Sequence, residues 1–248
     1  MARPPAAALS YRAMSAPHHT AIVERIEPMS EWVSQVTLRI EGERPFRFEP
    51  GQYVTIHLAA GGHRRSRHFS IASLPGDDNR IELCLADWTS DGDAEDGAMP
   101  RAGERLELSG PAGSFRLREP VDRDVLFIAT GTGVSPLRPM IHRALAAGGA
   151  HRVTFLFGAR TEDDILYRAE FEALAAREPR FRFLPTLSRP QPGWPGLSGY
   201  VQFHLDRVLA GRKDLDAYVC GLKPMLEAMR PLLTQRGFAR EHVHCEKY

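Results

Sequence analysis

The residues with the clearest chemical potential form the segment Gly131-Thr132-Gly133-Val134-Ser135-Pro136, with Thr130 just before it. The segment follows an apolar run, Val125 to Ala129, that reads as a buried strand, and precedes Leu137-Arg138-Pro139-Met140-Ile141, which reads as a helix opening. Glycines at 131 and 133 let the main chain approach an anion closely, and first-turn amides of the helix point unpaired N–H groups at it. Those features suit a pyrophosphate. The spacing is not Gly-x-Gly-x-x-Gly, and strand-to-helix turns also use glycine for sterics alone. Upstream, Arg67-His68-Phe69-Ser70 combines a guanidinium, which can bond two phosphate oxygens at once, with a hydroxyl that both donates and accepts.

The elements that must position these groups change character along the chain. From Thr20 to about Leu117, short β-type runs are broken by Gly, Pro and Asp: Val33 to Ile40, Gln52 to His57, Arg80 to Leu85, Arg105 to Leu108. This pattern predicts a small antiparallel barrel. After Pro120 the order becomes strand, helix, strand: Val125 to Ala129, Ser135 to Ala147, Arg152 to Gly158, Tyr167 to Glu178, Phe181 to Leu187. Val201 to Leu209, Tyr218 to Cys220, Pro224 to Arg236 and Val243 to Glu246 continue it. The alternation predicts a doubly wound parallel α/β sheet, whose ligands sit at the carboxyl ends of its strands. The chain thus divides into a leader at 1–19, a barrel domain at 20–118 and an α/β domain at 119–248, joined at the polar, Pro-containing stretch 118–123.

With 248 residues and 43% apolar composition, the chain has material for two ordinary cores. No stretch approaches the apolar length of a membrane-spanning helix, and a cytoplasmic protein is expected. The net charge of +1 argues against nucleic acid or an anionic membrane as partner. Cys84, Cys220 and Cys245 lack the spacing of a zinc site, an iron–sulfur cluster or a disulfide framework, and the ten histidines are scattered, so no metal is expected.

The order of segments resembles the plant-type ferredoxin-NADP reductases and their bacterial flavin-oxidoreductase relatives over nearly the whole chain after about residue 20. The flavin motif appears as Arg67-His68-Phe69-Ser70-Ile71-Ala72-Ser73, with Phe69 where a tyrosine is usual. Gly110-Pro111-Ala112-Gly113-Ser114-Phe115 is similar to the segment closing the flavin domain, and residues 131–136 to the pyridine-nucleotide loop. Leu166 to Phe171, Cys220-Gly221-Leu222-Lys223-Pro224-Met225 and Glu246-Lys247-Tyr248 fall in the matching places. The family's second flavin motif, Gly-x-x-Ser, is not evident, and an acidic loop from Asp91 to Gly97 stands there instead.

The resemblance implies an NADPH-dependent FAD reductase that passes single electrons to a separate ferredoxin or flavodoxin. An NADH-using flavin or oxygenase-component reductase is the alternative enzyme, and a non-catalytic flavin-binding interaction or sensor module the alternative outside catalysis. It also implies roles. Arg67, His68, Phe69, Ser70, Gly110, Gly113 and Tyr248 would bind flavin, with Arg67 on the pyrophosphate, Ser70 on flavin N5 and Tyr248 stacked on the ring. Thr130, Gly131, Thr132, Gly133, Pro136, Ser188, Arg189, Tyr200, Gln202, Cys220 and Gly221 would bind the nucleotide. Ser70, Cys220, Glu246 and Tyr248 would serve the reaction, with Cys220 beside nicotinamide C4 and Glu246 in a proton-handling network with Ser70 and Cys220. Ser188 and Arg189 offer a hydroxyl and a guanidinium to a 2′-phosphate and favour NADPH, against Ser198 in place of the usual lysine and a Trp194-Pro195-Gly196 typical of NADH users.

Overall fold

A computed structural model describes residues 16–60, 63–86 and 99–247. The expected leader up to residue 15, the acidic 91–97 loop and Tyr248 lie outside the described residues. In the N-terminal half, six strands run antiparallel: β1 (His18–Pro28), β2 (Val33–Ile40), β3 (Tyr53–Ala60), β4 (His63–Ser70), β5 (Arg80–Ala86) and β6 (Arg105–Ala112). Their order is β4-β3-β6-β1-β2-β5, and an Ile71–Leu83 bridge joins the two ends into the expected barrel. Alternation places Val54 and Ile56 of β3, Leu106 and Leu108 of β6, and Val23, Leu38, Ile81 and Leu83 in one buried core.

Two of these strands were not anticipated. β1 opens at His18, so His18 and His19, read as leader, pair with Ser109 and Leu108. β4 carries Arg65, Ser66, Arg67 and His68, with no apolar stripe to announce it. It forms because its main chain pairs with β3 from Tyr53–Ser70 to Ala60–His63.

The C-terminal half is a parallel sheet of β7 (Asp124–Thr130), β8 (Val153–Ala159), β9 (Phe181–Leu187), β10 (Leu197–Ser198), β11 (Leu215–Gly221) and β12 (Val243–Lys247). Four helices cover it: α1 (Val134–Ala146), α2 (Arg168–Arg177), α3 (Leu205–Leu209) and α4 (Lys223–Gln235). The order β10-β9-β8-β7-β11-β12 reverses direction between β7 and β11, and there the connections open a crevice at the strands' carboxyl ends. β7 and β11 are buried on both faces, which is why they read as continuous apolar runs. Val201 to Leu209 is not one helix but a 3-10 turn, Val201–His204, followed by the short α3.

The α1 and α2 side of the sheet packs on the barrel. Val33, Ala72, Cys84 and Phe115 share one buried cluster with Phe127, Leu137, Met140, Phe171, Tyr218 and Cys220. A Cβ on Gly51 would fall 2.2 Å from Met140 Cε, and the Phe115 ring lies 6.0 Å from that of Tyr218. Among the described residues, no helix is long and apolar enough to cross a membrane, and no group of three or more His, Cys, Asp or Glu could hold a metal.

Candidate active site at the switch point

Gly131–Gly133 is not a loop ahead of the helix but a 3-10 turn continuous with α1. Thr130, extended at φ −134°, is its N-cap, so the free amides of this helical segment start at residue 131. Gly131 has φ +53°, a left-handed conformation that glycine takes without strain. Gly133 has ordinary helical angles, and its reason is contact: a Cβ there would lie 2.3 Å from Cys220 O and 3.0 Å from Gly221 Cα. A Cβ on Gly221 would lie 2.5 Å from Thr130 Oγ1, and one on Gly158 3.0 Å from Thr130 Cγ2. The ends of β7, β8 and β11 are therefore in mutual contact, and Thr130, Gly131, Thr132, Gly133, Cys220 and Gly221 form one structure. No acidic residue occupies the first turn of the 3-10 segment or of α1, which leaves its positive pole available to an anion. Pro136 is buried in the first turn of α1, beside the buried Ser135.

Cys220 and Glu246 are register partners on β11 and β12. Cys220 is 1% exposed. Burial, with Glu246 and Cys245 nearby, holds its thiol well above the usual range, so it stays neutral. Burial also pushes Glu246 up to about 7, and Glu246 Oε2 is buried with no hydrogen-bond partner among the described residues. A carboxyl that titrates near neutrality beside a crevice is the perturbation expected of a proton-handling group.

On the barrel, the Tyr53–Ser70 pairing puts Ser70, His68 and Tyr53 on one face of the sheet, with Arg67 and Phe69 on the other. Phe69, in register with buried Val54, packs against the barrel core, so it does not lie on the same face as Ser70 and His68. His68 is exposed and shares a 2.8 Å hydrogen bond with Thr55. Gly110 and Gly113, at φ +143° and +113°, sit against Tyr53: a Cβ would lie 3.1 Å from Tyr53 O at the first and 3.0 Å from Tyr53 Cδ1 at the second. Their local requirement is room for Tyr53. That residue was missed by sequence reasoning, although the alternation of Tyr53, Thr55 and His57 around buried Val54 and Ile56 signals it.

At the far side of the crevice, Ser188 and Arg189 leave β9 and hydrogen-bond by main chain to Ala159 and Arg160 at the end of β8. Arg160 was also missed. It is exposed next to Arg189, and neither guanidinium has a hydrogen-bond or ion-pair partner among the described residues. Tyr200, 59% exposed, lies 5.8 Å from the ring of Phe203, which is 70% exposed; Gln202 between them is partly buried.

The two-domain architecture with this site defines a flavin- and nucleotide-dependent oxidoreductase. The oxidoreductase NAD-binding domain family matches residues 127–231. The chain is 39% identical to ferredoxin–NADP reductase B of Sorangium cellulosum over 230 residues, covering 90% of this chain and 94% of that protein. It is 36% identical to the reductase component of phenol 2-monooxygenase of a Pseudomonas species, over 85% of this chain and 60% of that one. The crystal structure of an Amycolatopsis cytochrome P450 reductase superposes with a TM-score of 0.82 at 26% identity, over 97% of this chain and 73% of that one. The protein belongs to the ferredoxin-NADP reductase-like family of FAD- and NAD(P)-binding oxidoreductases.

Proposed function

We propose that this protein is a plant-type reductase that takes a hydride from NADPH onto FAD and delivers single electrons to a ferredoxin or flavodoxin. One observation carries the reading: the helical amides from Gly131 and the Cys220-Gly221 turn meet at the switch point of the sheet, on the face that packs against the flavin-motif domain. The residues fit both groups. Gly131, at φ +53°, opens a helical segment with no acidic residue in its first turn, which suits an anion, and Arg67 has the fork geometry for a pyrophosphate. When bound, FAD supplies the conversion of a hydride into single electrons. The chain binds, orients and manages protons. The positive end of the Gly131 segment holds the nucleotide pyrophosphate, and the hydroxyl of Ser70 is assigned to flavin N5. Neutral Cys220 offers a small, uncharged wall beside nicotinamide C4. Glu246 holds a proton at its buried carboxyl near pH 7 and exchanges it as the redox state changes. Three cysteines without a disulfide suit a reducing cytoplasm.

NADPH is favoured over NADH because Ser188, Arg189 and Arg160 present a hydroxyl and two exposed guanidiniums at one corner, while Tyr200 offers a face to adenine. The second reading, an NADH-using reductase component of an oxygenase, draws on the 36% identity to the phenol 2-monooxygenase component and on Trp194-Pro195-Gly196. Anaerobic stopped-flow reduction with each nucleotide, then oxidation by ferredoxins, flavodoxins and oxygenase components, separates the two. Acid-released cofactor should run as FAD. Protein that binds flavin but is reduced by neither nucleotide would refute both readings and leave a non-catalytic module.

A further inference from the structure

Arg138 lies one helical turn into α1, immediately after the Gly131–Pro136 segment, and its side chain is 14% exposed. Its Nη1 leaves the α/β domain altogether. It donates to Ala72 O at 2.9 Å and to Glu82 Oε2 at 2.6 Å, both in the barrel. Ala72 and Glu82 are themselves tied, Ala72 N–H donating to Glu82 O at 2.7 Å, and Ala72 is the second residue after Ser70. On the other side, Arg138 Nε donates to both oxygens of Glu170 on α2, at 2.9 Å each, and His142 Nε2 reaches Glu170 Oε1 at 2.7 Å.

A second connection runs beneath the guanidinium. It stacks on the Tyr167 ring at 4.4 Å, and Tyr167 Oη lies 3.1 Å from the Sγ of Cys84 on β5. Tyr167 is held at φ +56°, a left-handed conformation a tyrosine rarely adopts. The arginine is thus paired on both sides, and the pairing is directional. The Glu170 half stays within the α/β domain, and the Glu82 and Ala72 half crosses to the segment that continues the flavin motif.

We propose that Arg138 is a positioning residue for hydride transfer: by clamping the nucleotide-loop helix to Ala72 and Glu82, it sets the separation between flavin and nicotinamide. The inference rests on the functional reading above. Hydride transfer requires near-attack geometry, and a displacement of about 1 Å far from the chemistry costs on the order of 100-fold in rate. A clamp only a few residues from both binding motifs, built from short charged hydrogen bonds and an aromatic platform, is placed to prevent such a displacement.

The test uses flavin-loaded protein and four variants: Glu82→Gln, Arg138→Met, Arg138→Lys and Glu170→Gln. Weakening the crossing half by Glu82→Gln, which removes its charge, or removing it by Arg138→Met should lower flavin reduction at saturating nucleotide, by about 10- to 100-fold for the latter, and weaken the nicotinamide–flavin charge-transfer absorbance. NADP⁺ affinity, read by titration, should change by less than about twofold, because the clamp touches no assigned nucleotide-binding residue. Arg138→Lys should recover part of the rate, and Glu170→Gln should lower the melting temperature while keeping most of it. Wild-type rate and absorbance in both crossing variants would overturn the proposal and leave Arg138 a purely structural residue. If Arg138→Met does not fold, Glu82→Gln decides alone, since it removes the charge of the crossing ion pair while leaving the Arg138 guanidinium and its Glu170 contact in place. If neither nucleotide reduces even the wild type, the functional reading falls, and calorimetry then judges the clamp. Arg138→Met should split one unfolding transition into two, and an unsplit transition overturns it.

Discussion

Gly133→Ala separates contact from propensity. Gly133 has φ −60° and ψ −11°, so alanine adopts its backbone without strain, and inside a helical segment alanine is intrinsically favoured by about 1 kcal/mol. The added Cβ, however, would meet Cys220 O at 2.3 Å, Cys220 C at 2.7 Å and Gly221 Cα at 3.0 Å. All three are main-chain atoms, and no rotamer change relieves them. The two loops must separate by about 1 Å to reach van der Waals contact, and forced repacking of this kind costs about 1–3 kcal/mol. Sterics therefore outweigh propensity. The same separation should slow flavin reduction at saturating nucleotide by about 100-fold without loss of flavin, because Cys220 moves relative to the dinucleotide loop. Thermal unfolding and stopped-flow absorbance measure the two effects. Gly76→Ala serves as control, since its Cβ would meet only Asp78 Oδ1, the end of a flexible side chain, at 3.3 Å. A Gly133→Ala protein with wild-type stability and reduction rate would refute the contact, and with it the convergence of the two loops.

Four further outcomes are expected. Glu246 rises from 4.5 to about 7 on folding, so its preference for the protonated form supports the fold below about pH 4.5 and that support is lost as pH climbs through 7; allowing for partial solvent access, Glu246→Gln should gain about 1–2 kcal/mol on wild type at pH 8.5 and nothing at pH 4, and a difference independent of pH in urea unfolding would contradict the assignment. Arg160→Ala and Arg189→Ala should each weaken NADPH by about 1.5–3 kcal/mol with little effect on NADH, whereas equal losses would point to the NADH reading. Tyr218 Oη accepts the Arg118 N–H at 2.8 Å, so Tyr218→Phe should cost about 1–2 kcal/mol as a lower urea midpoint at unchanged slope; an unshifted midpoint would mean that water satisfies Arg118. Tyr248→Ser should raise NADH activity relative to NADPH if the terminal ring occupies the nicotinamide's place, and an unaltered ratio with an unaltered flavin spectrum would exclude that position.

The sequence alone was enough for the two-part architecture, an antiparallel barrel followed by an alternating parallel sheet, and for most of its strands and helices. Strands buried on both faces, such as Val125 to Ala129 and Val153 to Phe157, announce themselves by composition, and a glycine pair between strand and helix is a signal readable before the sheet is known. Cys220 and Glu246 were legible as residues. Their pairing across β11 and β12, and the burial that moves Glu246 to about 7, depend on which strands become neighbours. Tertiary structure alone decided the rest. β4 is a strand through main-chain pairing with β3 and not through any apolar pattern. Gly133 and Gly221 are constrained by each other's loops, although they lie 88 positions apart in the chain. Arg160 and Arg189 become neighbours only because β8 and β9 end at the same edge. Arg138 reads as an ordinary helix-surface cation until folding sets Glu82 and Ala72 against it, because pairing between distant segments follows from packing two domains together and leaves no periodic trace in either one.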